Sequence, residues 1–341
     1  MRKYGKFVSR ALAAILILCA VTVQAKETVS LPGEPISFVL DYNTDGELVY
    51  DLSYKGVKLI EQSPIGMNNA DGVSYTPKNF KLMLVGSSSE NGTITPVWGK
   101  RSMMNGRYIQ KSYLITPTLL KTGEHNTPPG VYLEVRIYEG AVAFRYRCVL
   151  SQPSDEPEFP INTIIENTKF NFAGDFTAWY YNGERHNIGP ELLSRASGER
   201  LPVMTIKAKD NIYMAIHEAD VNEKALPMRL QTEQGSTSFS VVTEPLDFQT
   251  KYISPWRVIL LGETPGALVD SDVLQLLNPA PAKGMDFSWV KPGIALWDWR
   301  INGAEWDGYR YGMNYDSWVR MVDFASEQGF AYLVLDANWY G

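Results

Sequence analysis

Tyr132-Leu-Glu-Val-Arg-Ile-Tyr138, Glu139-Gly140 and Ala141-Val-Ala-Phe-Arg-Tyr-Arg-Cys-Val-Leu150 run on without interruption, and their pattern sets the fold class. Leu133, Val135 and Ile137 alternate with Glu134 and Arg136, which is the period of a pleated strand with one face toward a core. The acid-glycine pair interrupts the alternation once and lets it resume, so the passage reads as a β-hairpin.

Working outward, the same signal recurs. Ser37-Phe-Val-Leu-Asp-Tyr42 precedes the turn residues Asn43-Thr-Asp-Gly46, and short alternating segments continue from Val29 to about Phe287 with no long stretch of helical period. Residues 26–287 are therefore expected to be all-β. That length exceeds an immunoglobulin-sized sandwich of about 100 residues and points to a large two-sheet sandwich. No internal repeat or low-complexity tract is present.

The character changes after the turn-rich linker Asn278-Pro-Ala-Pro-Ala-Lys-Gly284, and a boundary is expected at 287/288. Ile294-Ala-Leu-Trp-Asp-Trp299 reads as a strand. Asn314 is a good N-cap, Asp316 lies in the first turn, Trp318, Val322 and Ala325 share a face, and Gly329 suits the C′ position, so a helix is expected between them. Phe330-Ala-Tyr-Leu-Val-Leu-Asp336 is nearly continuous in apolar residues, as a strand buried on both faces would be. Residues 288–341 thus read as a βαβ unit, the start of a (β/α)8 barrel. Such a barrel needs about 250 residues, so most of it is expected to lie beyond Gly341.

The first residues, Met1-Arg-Lys-Tyr-Gly-Lys6, are basic, an apolar run from Ala11 to Val23 follows, and Val23-Gln-Ala25 offers a signal-peptidase site. Residues 1–25 are expected to be a cleaved signal peptide, giving a periplasmic or otherwise exported chain with no stable membrane insertion after removal. Leu18 precedes Cys19, whereas a lipoprotein signal wants a small residue there. Cleavage leaves Cys148 as the sole thiol, and its alternating apolar setting reads as a small buried strand residue rather than a nucleophile.

With 32 Lys and Arg against 38 Asp and Glu, the net charge is −6. No basic block is available to neutralise phosphates, so nucleic acid is not expected as a partner. No phosphate loop, Ser/His/Asp elbow or dinucleotide fingerprint occurs, and the histidines match no zinc spacing. Aromatics make up 12% of the chain, which suits dense β cores and the apolar faces of sugar rings alike. In a parallel barrel functional groups sit at the C-terminal strand ends. Both expected strands end there in carboxylates and aromatics, and Asp298, Trp299, Asp336 and Trp339 are taken as candidate sugar contacts.

Several passages carry a family resemblance. Ile253-Ser-Pro-Trp-Arg-Val-Ile-Leu-Leu-Gly262, Leu268-Val-Asp-Ser-Asp-Val-Leu-Gln-Leu-Leu-Asn-Pro279, Ser288-Trp-Val-Lys-Pro-Gly293, the Trp297-Asp-Trp299 strand and Val322-Asp-Phe-Ala-Ser-Glu-Gln-Gly-Phe330 follow the order and spacing of glycoside hydrolase family 97. Ala143-Phe-Arg-Tyr146 and Tyr213-Met-Ala-Ile-His-Glu-Ala-Asp220 fit the same family. The resemblance implies an exo-acting α-glucosidase or α-galactosidase acting on an oligosaccharide, with an N-terminal β-super-sandwich, a central barrel and a C-terminal β domain. It also implies that the catalytic carboxylates come from later barrel strands beyond Gly341, so no catalytic residue is assigned.

The resemblance further implies a calcium ion near the sugar, ligated in part by one glutamate of the sandwich. Glu184, in Ala178-Trp-Tyr-Tyr-Asn-Gly-Glu-Arg-His186, is the best match, and Glu191 and Glu218 are its competitors. His186 and His217 are either sugar-contacting donors or structural strand-end residues. The alternative function is a non-catalytic carbohydrate-binding sandwich, from which the parallel βαβ tail is the distinguishing feature.

Overall fold

The computed structural model describes residues 26–341 apart from 71, 73, 77–80, 98, 117–129, 150–161, 184–186, 223, 224, 249, 338 and 341. The chain divides into two compact units, one ending at Pro279 and the other beginning at Ala280.

The first unit grows around the hairpin. Gly130–Tyr138 pairs antiparallel with Ala141–Val149, in register from Gly130 against Val149 to Tyr138 against Ala141. Gly140 closes the turn at φ +66°, and a Cβ there would meet the Leu261 carbonyl oxygen at 3.1 Å; glycine meets both demands. Tyr108–Thr116 extends the sheet on one side, and Trp256–Gly262, Tyr213–Ala219 and Gly198–Lys207 extend it on the other. Among the described residues this sheet has 13 strands, and a four-stranded sheet of Glu27–Val29, Ile36–Tyr42, Leu48–Tyr54 and Val57–Pro64 accompanies it.

Alternation along these strands builds the core between the sheets. Phe38 and Leu40 from the small sheet, with Tyr50 and Leu52, bury against Val135, Ile137, Phe144 and Tyr146 of the hairpin. Phe38 stacks on Tyr50 at 5.1 Å between ring centroids, and Tyr50 lies 5.6 Å from Phe144. Each such buried aromatic contributes about 1.5–3 kcal/mol relative to exposure. The fold is mainly β, with large sheets packed face to face, as the alternation predicts. Cys148 is buried within this core and forms no disulfide.

The far face of the hairpin differs from expectation. Two short helices, Pro265–Asp270 and Val273–Leu277, interrupt the region expected to be all-β, and Leu268, Val273 and Leu277 pack on Ala141, Ala143, Ala215 and Trp256. Thr264 caps the first by accepting from the Ala267 N–H at 3.2 Å, and Pro265 opens it, a combination that starts a helix locally. Helices of one turn are too short to show a 3.6-residue period.

In the second unit Ala295–Trp297 and Tyr332–Val334 pair in parallel, joined through the helix Tyr315–Gln328. Asn314 accepts from the Ser317 N–H at 3.0 Å, and Gly329 ends the helix at φ +71°, so both caps are those read from the sequence. The buried stripe is Ser317, Met321 and Ala325, rather than one through Val322, which is exposed. The second strand is shorter than expected and not buried on both faces: Tyr332 and Val334 are exposed. Its one strand neighbour among the described residues is Ala295–Trp297, and a strand is covered only where another element lies against it. No helix among the described residues is long and apolar enough to cross a membrane.

Candidate functional site

The C-terminal ends of the parallel pair bring two of the sequence-nominated residues, Asp298 and Asp336, together. Asp298 follows directly on Ala295–Trp297 and begins a single turn of helix, Asp298–Ile301, so Trp299 sits on that turn rather than at the end of a strand. Asp298 is wholly buried. Its Oδ2 accepts from the Trp318 indole N–H at 2.9 Å, and its Oδ1 accepts from the Asp336 backbone N–H at 2.9 Å. Asp336 is half-buried, with Oδ2 accepting from the Trp297 indole N–H at 3.0 Å and Oδ1 from the Ala337 N–H at 2.6 Å. Trp299 and Trp339 are 54% and 55% exposed, so their rings are open to a ligand where the buried carboxylate is not.

This distribution of aromatics is uneven along the chain. Among the described residues, the exposed tryptophans Trp289, Trp297, Trp299, Trp306 and Trp339 belong to the second unit, whereas Trp256 of the first is buried and Trp179 half-buried. Arg145 and Arg136 lie 4.2 and 4.8 Å from the Trp256 ring, a cation–π packing that stabilises the sheet face.

In the first unit, Glu184 and His186 lie outside the described residues. Glu191, on the strand Ile188–Leu192, accepts from the Tyr180 hydroxyl. Burial, then that same hydrogen bond, pushes the Tyr180 phenol up to about 12, and the Arg200 guanidinium 5.0 Å from its ring opposes the shift. Glu218 accepts from Arg257 at 2.9 Å and from the Met228 N–H at 3.0 Å. His217 Nδ1 accepts from the Glu218 N–H at 2.8 Å, which ties it to its own strand.

Sequence reasoning missed the group that holds Glu218. Arg257 is wholly buried, its Nε donates to both oxygens of Glu166 at 3.1 and 3.0 Å, and its Nη2 donates to the Leu226 carbonyl at 2.8 Å. The available signal was an arginine inside the apolar run Trp256-Arg-Val-Ile-Leu-Leu261, where a charge has to be paired. A separate cleft lies between Glu34, Tyr54, the Glu139-Gly140 turn and the helix Pro265–Asp270. Arg101 holds Asp270 at 2.6 Å and Asp272 at 3.0 Å on its rim, and no nominated residue lies there.

A dication needs about six to eight oxygen ligands from hard donors. Among the described residues no group of three or more Asp, Glu, His or Cys side chains is placed to hold one. Glu218 does not fit, because the Arg257 guanidinium already occupies its charge. Glu191 is half-buried and engaged to one hydroxyl, so it offers a single carboxylate, as a contributor to a site assembled mainly elsewhere would.

The family model described as glycosyl-hydrolase 97 N-terminal matches residues 29–280. A retaining α-galactosidase of Bacteroides thetaiotaomicron is 24% identical over 95% of this chain and 52% of its own length. A probable retaining α-galactosidase of Streptomyces bingchenggensis is 27% identical over 61% of this chain and 31% of its own. Among solved structures, a glycoside hydrolase family 97 enzyme from Pseudoalteromonas sp. strain K8, in complex with acarbose, superposes with a TM-score of 0.72 at 23% identity. It covers 92% of this chain and 48% of that one. The chain therefore spans about half the length of these relatives or less.

Proposed function

From the premise that this chain belongs to glycoside hydrolase family 97, we propose that it is the N-terminal part of an exported α-glycosidase whose substrates are α-galactosides. The observation that carries this reading is the succession of the family's sandwich, matched over residues 29–280, and a parallel strand–helix–strand unit with aromatics at its C-terminal rim. A carbohydrate-binding sandwich has no need of that second unit. The α-galactoside preference is supported by the activities named for both curated relatives.

In this proposal residues 288–341 open the catalytic barrel, and residues 1–25 direct export to the periplasm. Trp299 and Trp339 offer apolar faces to the C–H face of a sugar ring. Asp336 accepts from a sugar hydroxyl through the lone pairs that Trp297 and Ala337 leave free. The carboxylate pair of the reaction belongs to later strands, where a separation of about 5–5.5 Å supports retention. Glu184 would contribute one oxygen to a calcium ion assembled mainly from ligands elsewhere, and the ion would supply positive charge to the site. The test is hydrolysis of aryl α-galactoside and aryl α-glucoside by the protein at its full natural length. Release from the galactoside is expected, and release from the glucoside alone would overturn the substrate assignment.

A further inference from the structure

We propose that Asp298 is a positioning residue, a buried carboxylate that fixes Asp336 so that Asp336, and not Asp298, faces the sugar. The inference rests on the rim being the sugar site and goes beyond it by dividing the labour between two carboxylates that the sequence does not distinguish. Asp298 has no exposed surface, and each of its oxygens receives a donor: the Trp318 indole on one side and the Asp336 backbone N–H on the other. Asp336 keeps partial exposure, and its side chain is held in turn by Trp297 and Ala337. The four residues form a relay, Trp318 to Asp298 to Asp336 to Trp297, linking the helix Tyr315–Gln328 to both strand ends.

The geometry calls for an acceptor on both sides of the central group. Both of its partners are donors, so the central group has to accept on both sides, and hydrogen bonds to an ionised acceptor are about twice as strong as neutral ones. An asparagine presents an NH2 to one of the two N–H groups and loses that bond. A backbone N–H released from Asp298 lets the Asp336 strand end move, and a displacement of about 1 Å near a reacting centre can cost about a hundredfold in rate.

The test uses the protein at its full natural length with an aryl α-galactoside. Asp298→Asn is expected to lower kcat/KM by at least tenfold, and Trp318→Phe, which removes one donor but keeps an aromatic ring, by a smaller factor in the same direction. Because Asp298 acts through Asp336, adding Asp298→Asn to Asp336→Ala should change kcat/KM by less than twofold. Multiplicative losses would overturn the proposal, as would full activity in either Asp336→Ala or Asp298→Asn. Indole N–H signals in 15N-labelled protein provide a readout independent of activity: Asp298→Asn should shift Trp297, whose own carboxylate partner is unsubstituted, as well as Trp318. A Trp297 signal that stays put overturns the relay. If the parent itself hydrolyses no glycoside, the functional reading fails, while the indole signals still decide whether the relay exists.

Discussion

Arg257 grips both carboxylate oxygens of Glu166 through Nε, at 3.1 and 3.0 Å, with the two side chains wholly buried and ninety-one positions apart in sequence. The pair joins Trp256–Gly262 of the large sheet to the short strand Asn162–Glu166 of a separate three-stranded sheet. Desolvating two charges is costly, and their attraction offsets that cost only while both are present. Glu166→Leu leaves the buried Arg257 with Glu218 as its remaining carboxylate partner, so it should destabilise the sandwich by less than the about 3–5 kcal/mol of a fully broken buried pair, measured as the shift in urea unfolding. Glu166→Leu with Arg257→Met should recover part of the loss. A double variant no more stable than the single one would contradict the account.

Glu218 sits beside that pair and gives it a pH signature. Burial raises its pKa above the ordinary 4.5, and the Met228 N–H bond and Arg257 pull the other way. A carboxyl raised on folding contributes stability that is fully present below 4.5 and is lost as pH rises through the folded value. Glu218→Gln cannot ionise, so its stability relative to the parent should be flat below that pH and improve as pH rises through the raised value. A relative stability that falls over this range would refute the assignment.

Cys148 tests the core directly. Burial pushes its thiol up to about 12, with Arg147 opposing only in part. In the chain without residues 1–25, Cys148 should not react with a disulfide reagent at about pH 8, since the thiolate is the nucleophile, and should titrate completely once denatured. Rapid labelling of the native chain would show that the strand opens easily.

Much of this fold is visible in short-range pattern. The Glu139-Gly140 hairpin, the Asn314 cap and the Gly329 stop are local features, and each was legible because its cause lies within a few residues. The Glu166–Glu218–Arg257 cluster was not, since Arg257 inside an apolar run signals that a partner is needed but not which, and the three residues meet only when separate strands are brought together. Asp298 and Asp336 were nominated alike because both follow apolar strands. Their difference depends on Trp318 and on the parallel register of Ala295–Trp297 with Tyr332–Val334, which sequence spacing does not specify. The one-turn helices after Thr264 escaped for want of length.

The calcium proposal predicts a linkage between domains. At full natural length, Glu184→Gln should need more calcium for half-maximal activity, and chelation should lower its Tm less than it lowers the parent's, because stabilisation by a ligand follows its affinity. Identical calcium titrations for variant and parent would remove Glu184, and Glu191→Gln would then be titrated the same way.

The central claim is that this chain opens a retaining α-galactosidase, and the stereochemistry of the first product tests it most directly. Proton NMR of melibiose digested by the protein at its full natural length should show α-galactose first, with the β anomer growing only by mutarotation. β-Galactose appearing first would contradict the retaining assignment, and no galactose at all would contradict the α-galactosidase itself.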